Sequence, residues 1–155
     1  MENVMIVDLV RNDLSKTCDN VCVKELFGVY TFNHWHQMIS TITGEMRNDV
    51  HFTDVIKNAF PMGSMTGAPK IKAMELIEKY EKTKRGLYSG AVGYITPKGD
   101  FDFNVVIRSI LYNTRRQYIS FMAGSAITDL SLPEKEFTEC MLKADTMFSA
   151  ITVNN

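Results

Sequence analysis

The sequence predicts an α+β fold in which helices interrupt antiparallel strands. Two observations carry this prediction. Helix signals occur in three segments, and apolar stretches bounded by turn-forming residues occur between them. Consecutive strand segments in the second half of the chain are separated only by short turns, which favours antiparallel neighbours. With 155 residues, the chain is long enough for one domain with a sizeable core.

Three strands are predicted in the first part of the chain. Residues 4–10 form a short apolar run broken only by Asp8, which predicts a buried strand. Residues 21–32 are expected to be extended. Residues 38–46 contain isoleucine and threonine in a run that ends around Gly44 and are predicted to form another strand.

Two helices are predicted next, on either side of a glycine-bearing loop at 61–67. The first runs from 53 to 60, with Thr53 as its cap. The second runs from 69 to about 82, with Pro69 in its first turn and apolar residues at helical spacing.

The second half is predicted to be an antiparallel meander followed by a helix. Residues 89–96 and 101–111 are apolar runs joined by a proline and glycine turn at 97–100. After another turn, residues 117–123 supply a third strand. The last helix is predicted at 133–150.

Composition excludes several classes of function. The formal net charge is −1 with both signs interspersed, so we expect no nucleic-acid partner. No apolar stretch approaches the roughly 20 residues of a membrane span, and the start lacks the features of a signal peptide. The three cysteines are expected to be reduced thiols, which predicts a cytoplasmic protein.

The last predicted helix carries three charged residues on one face. Glu136, Glu139 and Lys143 stand at positions i, i+3 and i+7. Two carboxylates one turn apart repel each other, and a divalent cation such as Mg²⁺ would turn that repulsion into attraction. The alternative is a solvated acidic face in which Glu139 pairs with Lys143.

Other candidate sites are less specific. Arg108 ends an apolar strand segment and offers a fork for a carboxylate, although it could also face solvent. The loop 63–70 leads into a helix start and could bind an anion through backbone N–H groups. Residues 123–126, A-G-S-A, could bring backbone N–H groups close to a ligand. From the pattern alone, an ordinary loop or turn is the favoured explanation of both segments.

These segments, in this order, resemble the chorismate-utilising enzymes. That family includes the synthase components of anthranilate and aminodeoxychorismate synthases, together with isochorismate and salicylate synthases. The resemblance spans essentially the whole chain. It rests on E-N-V-M-I-V-D-L-V-R-N-D-L at 2–14, G-S-M-T-G-A-P-K at 63–70, R-G-L-Y-S-G-A-V-G-Y at 85–94, V-V-I-R-S at 105–109, and E-F-T-E at 136–139 with Lys143.

The resemblance implies a magnesium-dependent enzyme that acts on chorismate. Glu2, Glu136 and Glu139 match the metal ligands of the family, whose ion bridges to the ring carboxylate of chorismate and helps the hydroxyl group leave. Lys143 matches a lysine that contacts the substrate, and we regard it as a catalytic candidate. Residues matching the rest of the substrate pocket are Gly63, Thr66, Tyr88, Arg108, Gly124, Ser125 and Ala126.

Two positions depart from the family pattern. The family has a histidine three residues before a serine, and Gln37 stands at that place, three residues before Ser40. His36 is the preceding residue and is only a weak catalytic candidate. The family's A-G-A-G stretch is A-G-S-A here, so Ser125 and Ala126 differ from the pattern.

The motif at 63–70 resembles the aminodeoxychorismate branch. That branch aminates chorismate at the 4-position for p-aminobenzoate and folate biosynthesis, using ammonia from a glutamine amidotransferase subunit. The alternatives are an anthranilate synthase component of tryptophan biosynthesis, or a non-catalytic fragment or interaction module.

The resemblance also implies that residues 1–155 are the C-terminal portion of a chorismate-binding domain, a partial α/β sandwich whose N-terminal portion is absent. We therefore expect little or no activity from the isolated chain. We also expect self-association, in a homo-oligomer, through surface exposed by the truncation.

Overall fold

The structure, a computed structural model, describes residues 2–32 and 36–152, except for the side chain of Glu2. These residues form four α-helices and six strands, and each strand pairs antiparallel with a neighbour. The predicted α+β class is confirmed. The chain divides into two compact units, the first ending at Lys82 and the second beginning at Thr83. Within the described ranges, no helix is long and apolar enough to cross a membrane.

The first unit consists of three helices, one β-hairpin and a short 3₁₀ turn. In chain order these elements are α1 Glu2–Ser15, β1 Cys18–Thr31, β2 His36–Met46, α2 Phe52–Ala59, the 3₁₀ turn Gly63–Met65, and α3 Lys70–Tyr80. β1 and β2 pair from Cys18 opposite Met46 to Thr31 opposite His36, with irregular register at three points along β1. Both predicted strands of the hairpin are therefore confirmed.

The strand predicted at 4–10 is wrong, because this segment lies inside α1. A continuous apolar run does not reveal its own period, so a buried strand and a buried helix give the same signal. Burial in the structure has helical spacing instead. The buried or half-buried positions along one stripe of α1 are Asn3, Ile6, Val7, Val10, Asp13 and Leu14.

α1 is fastened to its neighbours by polar contacts. The Nζ atom of Lys70 donates to the carboxylate of Asp13 and, at 3.3 Å, to the carbonyl oxygen of Ala59. Lys16 contacts the other oxygen of Asp13 at 3.0 Å. The Ser40 hydroxyl donates to the side-chain oxygen of Asn3 at 2.9 Å, which ties α1 to β2.

Two helix starts differ from the predictions by one or two residues. The cap of α2 is His51 rather than Thr53: the Thr53 N–H points to His51 Nδ1 at 3.4 Å. The His51 N–H in turn donates to the Asp54 carboxylate at 3.2 Å, closing a reciprocal cap. Pro69 is the cap of α3, and Lys70 is the first residue in its helix.

The second unit contains two β-hairpins and the last helix. Its elements are β3 Ala91–Ile95, β4 Phe101–Val105, β5 Leu111–Asn113, β6 Tyr118–Ser120 and α4 Pro133–Ile151. β3 pairs with β4 and β5 pairs with β6, each antiparallel. Val106, Ala144 and Met147 are buried, and Phe121 meets Phe148 edge-on at 4.8 Å between ring centroids. The last helix is confirmed at its predicted place.

The predicted meander is broken in its central strand. Residues 101–111 form β4 and β5 separately, because the chain leaves the sheet after Val106. Val106 exchanges backbone hydrogen bonds with Ser89 and Gly90, each 2.9 Å long. Arg108 then has a φ of +48°, which a continuous strand does not allow. Arg108 therefore lies in the connection between the strands rather than at a strand end.

Candidate functional site

The Gly124–Ser125 segment is the place where functional candidates of the second unit meet. Lys143 Nζ donates to the Gly124 carbonyl oxygen at 3.1 Å. The Ser125 hydroxyl donates to a carboxylate oxygen of Glu136. The Tyr88 hydroxyl lies close to Gly124: a Cβ added to Gly124 would be 2.7 Å from the Tyr88 hydroxyl oxygen. We call this group, completed by Glu139, the carboxylate site.

α4 supplies the charged side chains of the carboxylate site. Glu136 and Glu139 are one turn apart, and Lys143 Nζ lies 2.5 Å from Glu139 Oε1. The hydrogen bond from Lys143 is the main cause that lowers the pKa of Glu139. Partial burial opposes this effect, while the charge of Lys143 and a hydrogen bond from Ser125 lower the pKa further. Glu139 is therefore held ionised beside Glu136.

Glu136 and Glu139 offer two carboxylates one helical turn apart, the kind of ligand that Mg²⁺ takes in proteins. Mg²⁺ usually takes one or two protein carboxylates and completes its shell with water and substrate oxygens. In the part of the chain that the structure describes, no group of three or more His, Cys, Asp or Glu side chains converges. Ser125 donates to Glu136, and Glu139 lies one turn further along α4, so a cation held by this pair would take its other ligands from water or substrate. The side chain of Glu2 lies outside the described residues.

A tight turn positions Tyr88. The Tyr88 N–H donates to the Arg85 carbonyl oxygen at 3.1 Å, and Ser89 follows with a φ of +69°. The Arg85 guanidinium lies 6.0 Å from the Tyr88 ring centroid and donates to the Ser89 hydroxyl at 3.1 Å. Arg85 therefore contacts a residue of the site. The sequence did not indicate this role for Arg85, because Tyr88 and Ser89 come close to it only when the turn forms.

Arg108 is the exposed cation of the second unit's strand connection. It forms no ion pair with any residue in the described ranges, and its left-handed backbone turns it out of the sheet ladder. An exposed guanidinium has a fork of N–H donors that matches the geometry of a carboxylate. Its role in substrate binding remains a prediction.

The candidates of the first unit have local structural roles. Gly63 is buried, and a Cβ there would lie 2.7 Å from a side-chain carbon of Leu9, so packing against α1 explains the glycine. The Thr66 hydroxyl donates to the carbonyl oxygens of Met62 and Gly63 at 3.1 and 3.3 Å. His36 Nδ1 pairs with the Thr31 hydroxyl at 3.0 Å near the end of the hairpin. Their ligand contacts remain predictions.

A cleft of about 290 Å³ adjoins the carboxylate site. Ser125 and Glu136 form part of its wall. The other lining residues are Ile127, Ser131, Pro133, Phe137 and Cys140. Ala126, an expected pocket residue, is exposed, and its carbonyl oxygen accepts from the Ser131 hydroxyl at 3.4 Å. The sequence pattern alone could not predict this cleft, because residues of a loop and of two turns of α4 come together to form its wall.

Comparison with known proteins settles the family. The profile of the chorismate-binding enzymes matches residues 1–149. The chain belongs to this family. Among curated chorismate-binding enzymes, the chloroplastic aminodeoxychorismate synthase of Arabidopsis thaliana is 43% identical over 97% of this chain. Anthranilate synthase component 1 of Aquifex aeolicus is 37% identical over 98% of it.

A solved structure of the family has the same fold. Anthranilate synthase component I from Streptococcus pneumoniae superposes with a TM-score of 0.83 and 33% identity, over 93% of this chain and 33% of that one. The present chain spans 16% of the Arabidopsis protein and 31% of the Aquifex protein. The residues described above therefore correspond to one part of these longer chorismate-binding enzymes.

Proposed function

We propose that this chain provides part of the chorismate site of an aminodeoxychorismate synthase. The observation that carries the proposal is the carboxylate site, where Tyr88, Lys143 and two glutamates surround Gly124 and Ser125. Chorismate carries two carboxylates and a leaving hydroxyl group, so it requires cations and donors at one end and a metal at the other. The higher identity to aminodeoxychorismate synthase than to anthranilate synthase supports this branch.

Each residue of the proposed site has a distinct role. The Tyr88 hydroxyl, and Arg108 from its strand connection, donate to the enolpyruvyl carboxylate of the substrate. Lys143 donates to a substrate oxygen while it remains anchored on the Gly124 carbonyl. Glu136 and Glu139 would hold Mg²⁺, which when bound would supply Lewis-acid polarisation of substrate oxygens. In the proposed reaction, ammonia forms a C–N bond at the 4-position, and the hydroxyl leaves as water.

Three further parts of the proposal concern the surroundings of the enzyme. Ammonia would come from a glutamine amidotransferase subunit, as the resemblance implies for this branch. Self-association and a cytoplasmic location also remain predictions from the sequence. The exposed apolar side chains of the β1–β2 hairpin are consistent with a covered surface.

The activity test uses a chimaera in which this chain replaces the aligned 152 residues of the Arabidopsis relative. We expect chorismate, ammonium and Mg²⁺ to give 4-amino-4-deoxychorismate, measured by chromatography. Glu136→Gln in the same chimaera should lower turnover by about tenfold or more, as expected when a metal ligand, or a residue that orients one, is lost. A folded chimaera that leaves chorismate unchanged would refute the proposed site.

Anthranilate synthesis is the second candidate, favoured by the match to solved anthranilate synthase component I. A reciprocal chimaera in the Aquifex protein distinguishes the two branches. We expect lower turnover there than in the aminodeoxychorismate synthase scaffold. Higher formation of fluorescent anthranilate in the Aquifex chimaera would favour the second candidate instead.

A further inference from the structure

We propose that Ser125 is a positioning residue that orients Glu136, next to Glu139, for a divalent cation. This inference rests on the proposed function, since it concerns the same site. The contact that carries it is the hydrogen bond from the Ser125 hydroxyl to a carboxylate oxygen of Glu136. Ser125 is also one of the two positions where this chain differs from the A-G-A-G pattern, in which no side-chain hydroxyl is available.

The surroundings of Ser125 favour a role in orientation. Lys143 Nζ donates to the carbonyl oxygen of the neighbouring Gly124, and the Tyr88 hydroxyl lies where a Cβ on Gly124 would meet it at 2.7 Å. The hydroxyl of Ser125 is therefore presented from a fixed backbone rather than from a free loop. A short side chain on a fixed backbone has few rotamers, so its hydrogen bond restricts the longer side chain of Glu136.

The charges of Glu136 and Glu139 also favour an orienting role for Ser125. Two ionised carboxylates at i and i+3 repel each other, and each long side chain can swing away from the other. The Ser125 donor holds Glu136 at the site, while Lys143 holds Glu139 at 2.5 Å. Partners that orient metal ligands typically contribute about 10- to 100-fold to metal affinity.

The experiment measures Mn²⁺ binding to this chain by electron paramagnetic resonance, with Mg²⁺ as competitor. Mn²⁺ serves as the probe because it accepts the same carboxylate and water oxygens. Ser125→Ala should weaken binding by about tenfold, and Ser125→Thr, which keeps the hydroxyl, should restore most of it. Thr138→Val is the control on α4, the helix that carries both glutamates. Among the described residues, the hydrogen-bond partner of the Thr138 hydroxyl is the Glu134 carbonyl oxygen, at 2.8 Å.

A double-mutant cycle separates positioning from general destabilisation. In a Glu136→Gln background, Ser125→Ala should have little further effect on Mn²⁺ affinity, since its partner carboxylate is gone. If Ser125→Ala does not fold, as judged by circular dichroism, Ser125→Gly removes the same hydroxyl and takes its place.

Three results would overturn the inference. These are a parent chain that binds no Mn²⁺ at millimolar concentration, a Ser125→Ala chain with parental affinity, and an equal loss in Thr138→Val. None of them depends on turnover. Failure of the chorismate assay with Ser125-dependent Mn²⁺ binding intact would instead contradict only the proposed function.

Discussion

The Tyr88 hydroxyl rests against Gly124, and this contact leads to a prediction at the scale of one atom. In Gly124→Ala, the new Cβ would meet the hydroxyl oxygen at 2.7 Å, so Tyr88 must move. We expect chorismate affinity to fall by about tenfold, or about 1.4 kcal/mol, measured by calorimetry. In a Tyr88→Phe background, which lacks the clashing oxygen, the same substitution should cost much less. Equal losses in both backgrounds would contradict the proposed contact.

The Glu139–Lys143 pair predicts a pH dependence with a definite sign. Because the pKa of Glu139 is lowered in the folded state, the pair stabilises the fold above the ordinary glutamate pKa. That contribution is lost as the pH falls through the lowered value. In metal-free buffer, Lys143→Met should raise the pKa of Glu139, as followed by ¹³C NMR of its carboxyl carbon. An unchanged pKa would show that Lys143 does not cause the shift.

The sequence could predict which site residues lie together only where their spacing along one helix determines it. Glu136, Glu139 and Lys143 lie on one helix, so their common face followed from their positions and is seen in the structure. The contact between Ser125 and Glu136 joins a loop to that helix. No local pattern encodes such a contact, because it depends on how the chain between them closes.

At the scale of elements, the ion pair between α1 and α3 is the clearest determinant of stability. Asp13 and Lys70 are 4% and 14% exposed at their side chains, and they touch directly. Lys70→Met leaves Asp13 buried with Lys16 as its remaining partner, so we expect a loss of about 3 kcal/mol in unfolding free energy. Urea denaturation measures this loss.

Lys72→Met on the same helix is the matched control for this prediction. Lys72 pairs with Glu75 in an exposed i,i+3 arrangement, so its loss should cost less than about 1 kcal/mol. If both variants lose the same stability, burial of the Asp13 pair does not explain the effect.

Helices and strands were predicted correctly where turn-forming or capping residues mark their ends. The prediction failed where an apolar run has too few polar residues to reveal its period. The β1–β2 hairpin and α4 lie close to their predicted positions. The sequence predicts a strand in place of α1 because residues 4–10 are nearly all apolar, so the helical period is not visible in them. The break between β4 and β5 is not predicted, because it depends on a backbone turn in which Val106 bonds both Ser89 and Gly90 and Arg108 then has a positive φ, and sequence spacing does not encode such a turn.

At the scale of the whole molecule, exposed apolar surface predicts self-association. Many apolar side chains of the β1–β2 hairpin are exposed, including Val29 at 68%. Each of these two strands has a free edge within the described part of the chain, which adds unpaired backbone groups. We therefore expect light scattering to show dimers or larger species.

Val29→Lys should reduce the association, because a charge on the exposed face opposes strand and apolar contacts. Val92→Lys is the matched control: it is also a strand valine, 61% exposed, but on β3. We expect a smaller change there. A monodisperse monomer of the unmodified chain would contradict the prediction.

The central claim is that the carboxylate site belongs to a chorismate-binding site that uses Mg²⁺. The most direct test is calorimetric titration of the 155-residue chain with chorismate, with and without Mg²⁺. We predict binding that depends on Mg²⁺ and that is weakened in Glu136→Gln by about tenfold or more. Absence of binding, or binding that is equally strong without Mg²⁺ and in Glu136→Gln, would contradict the account.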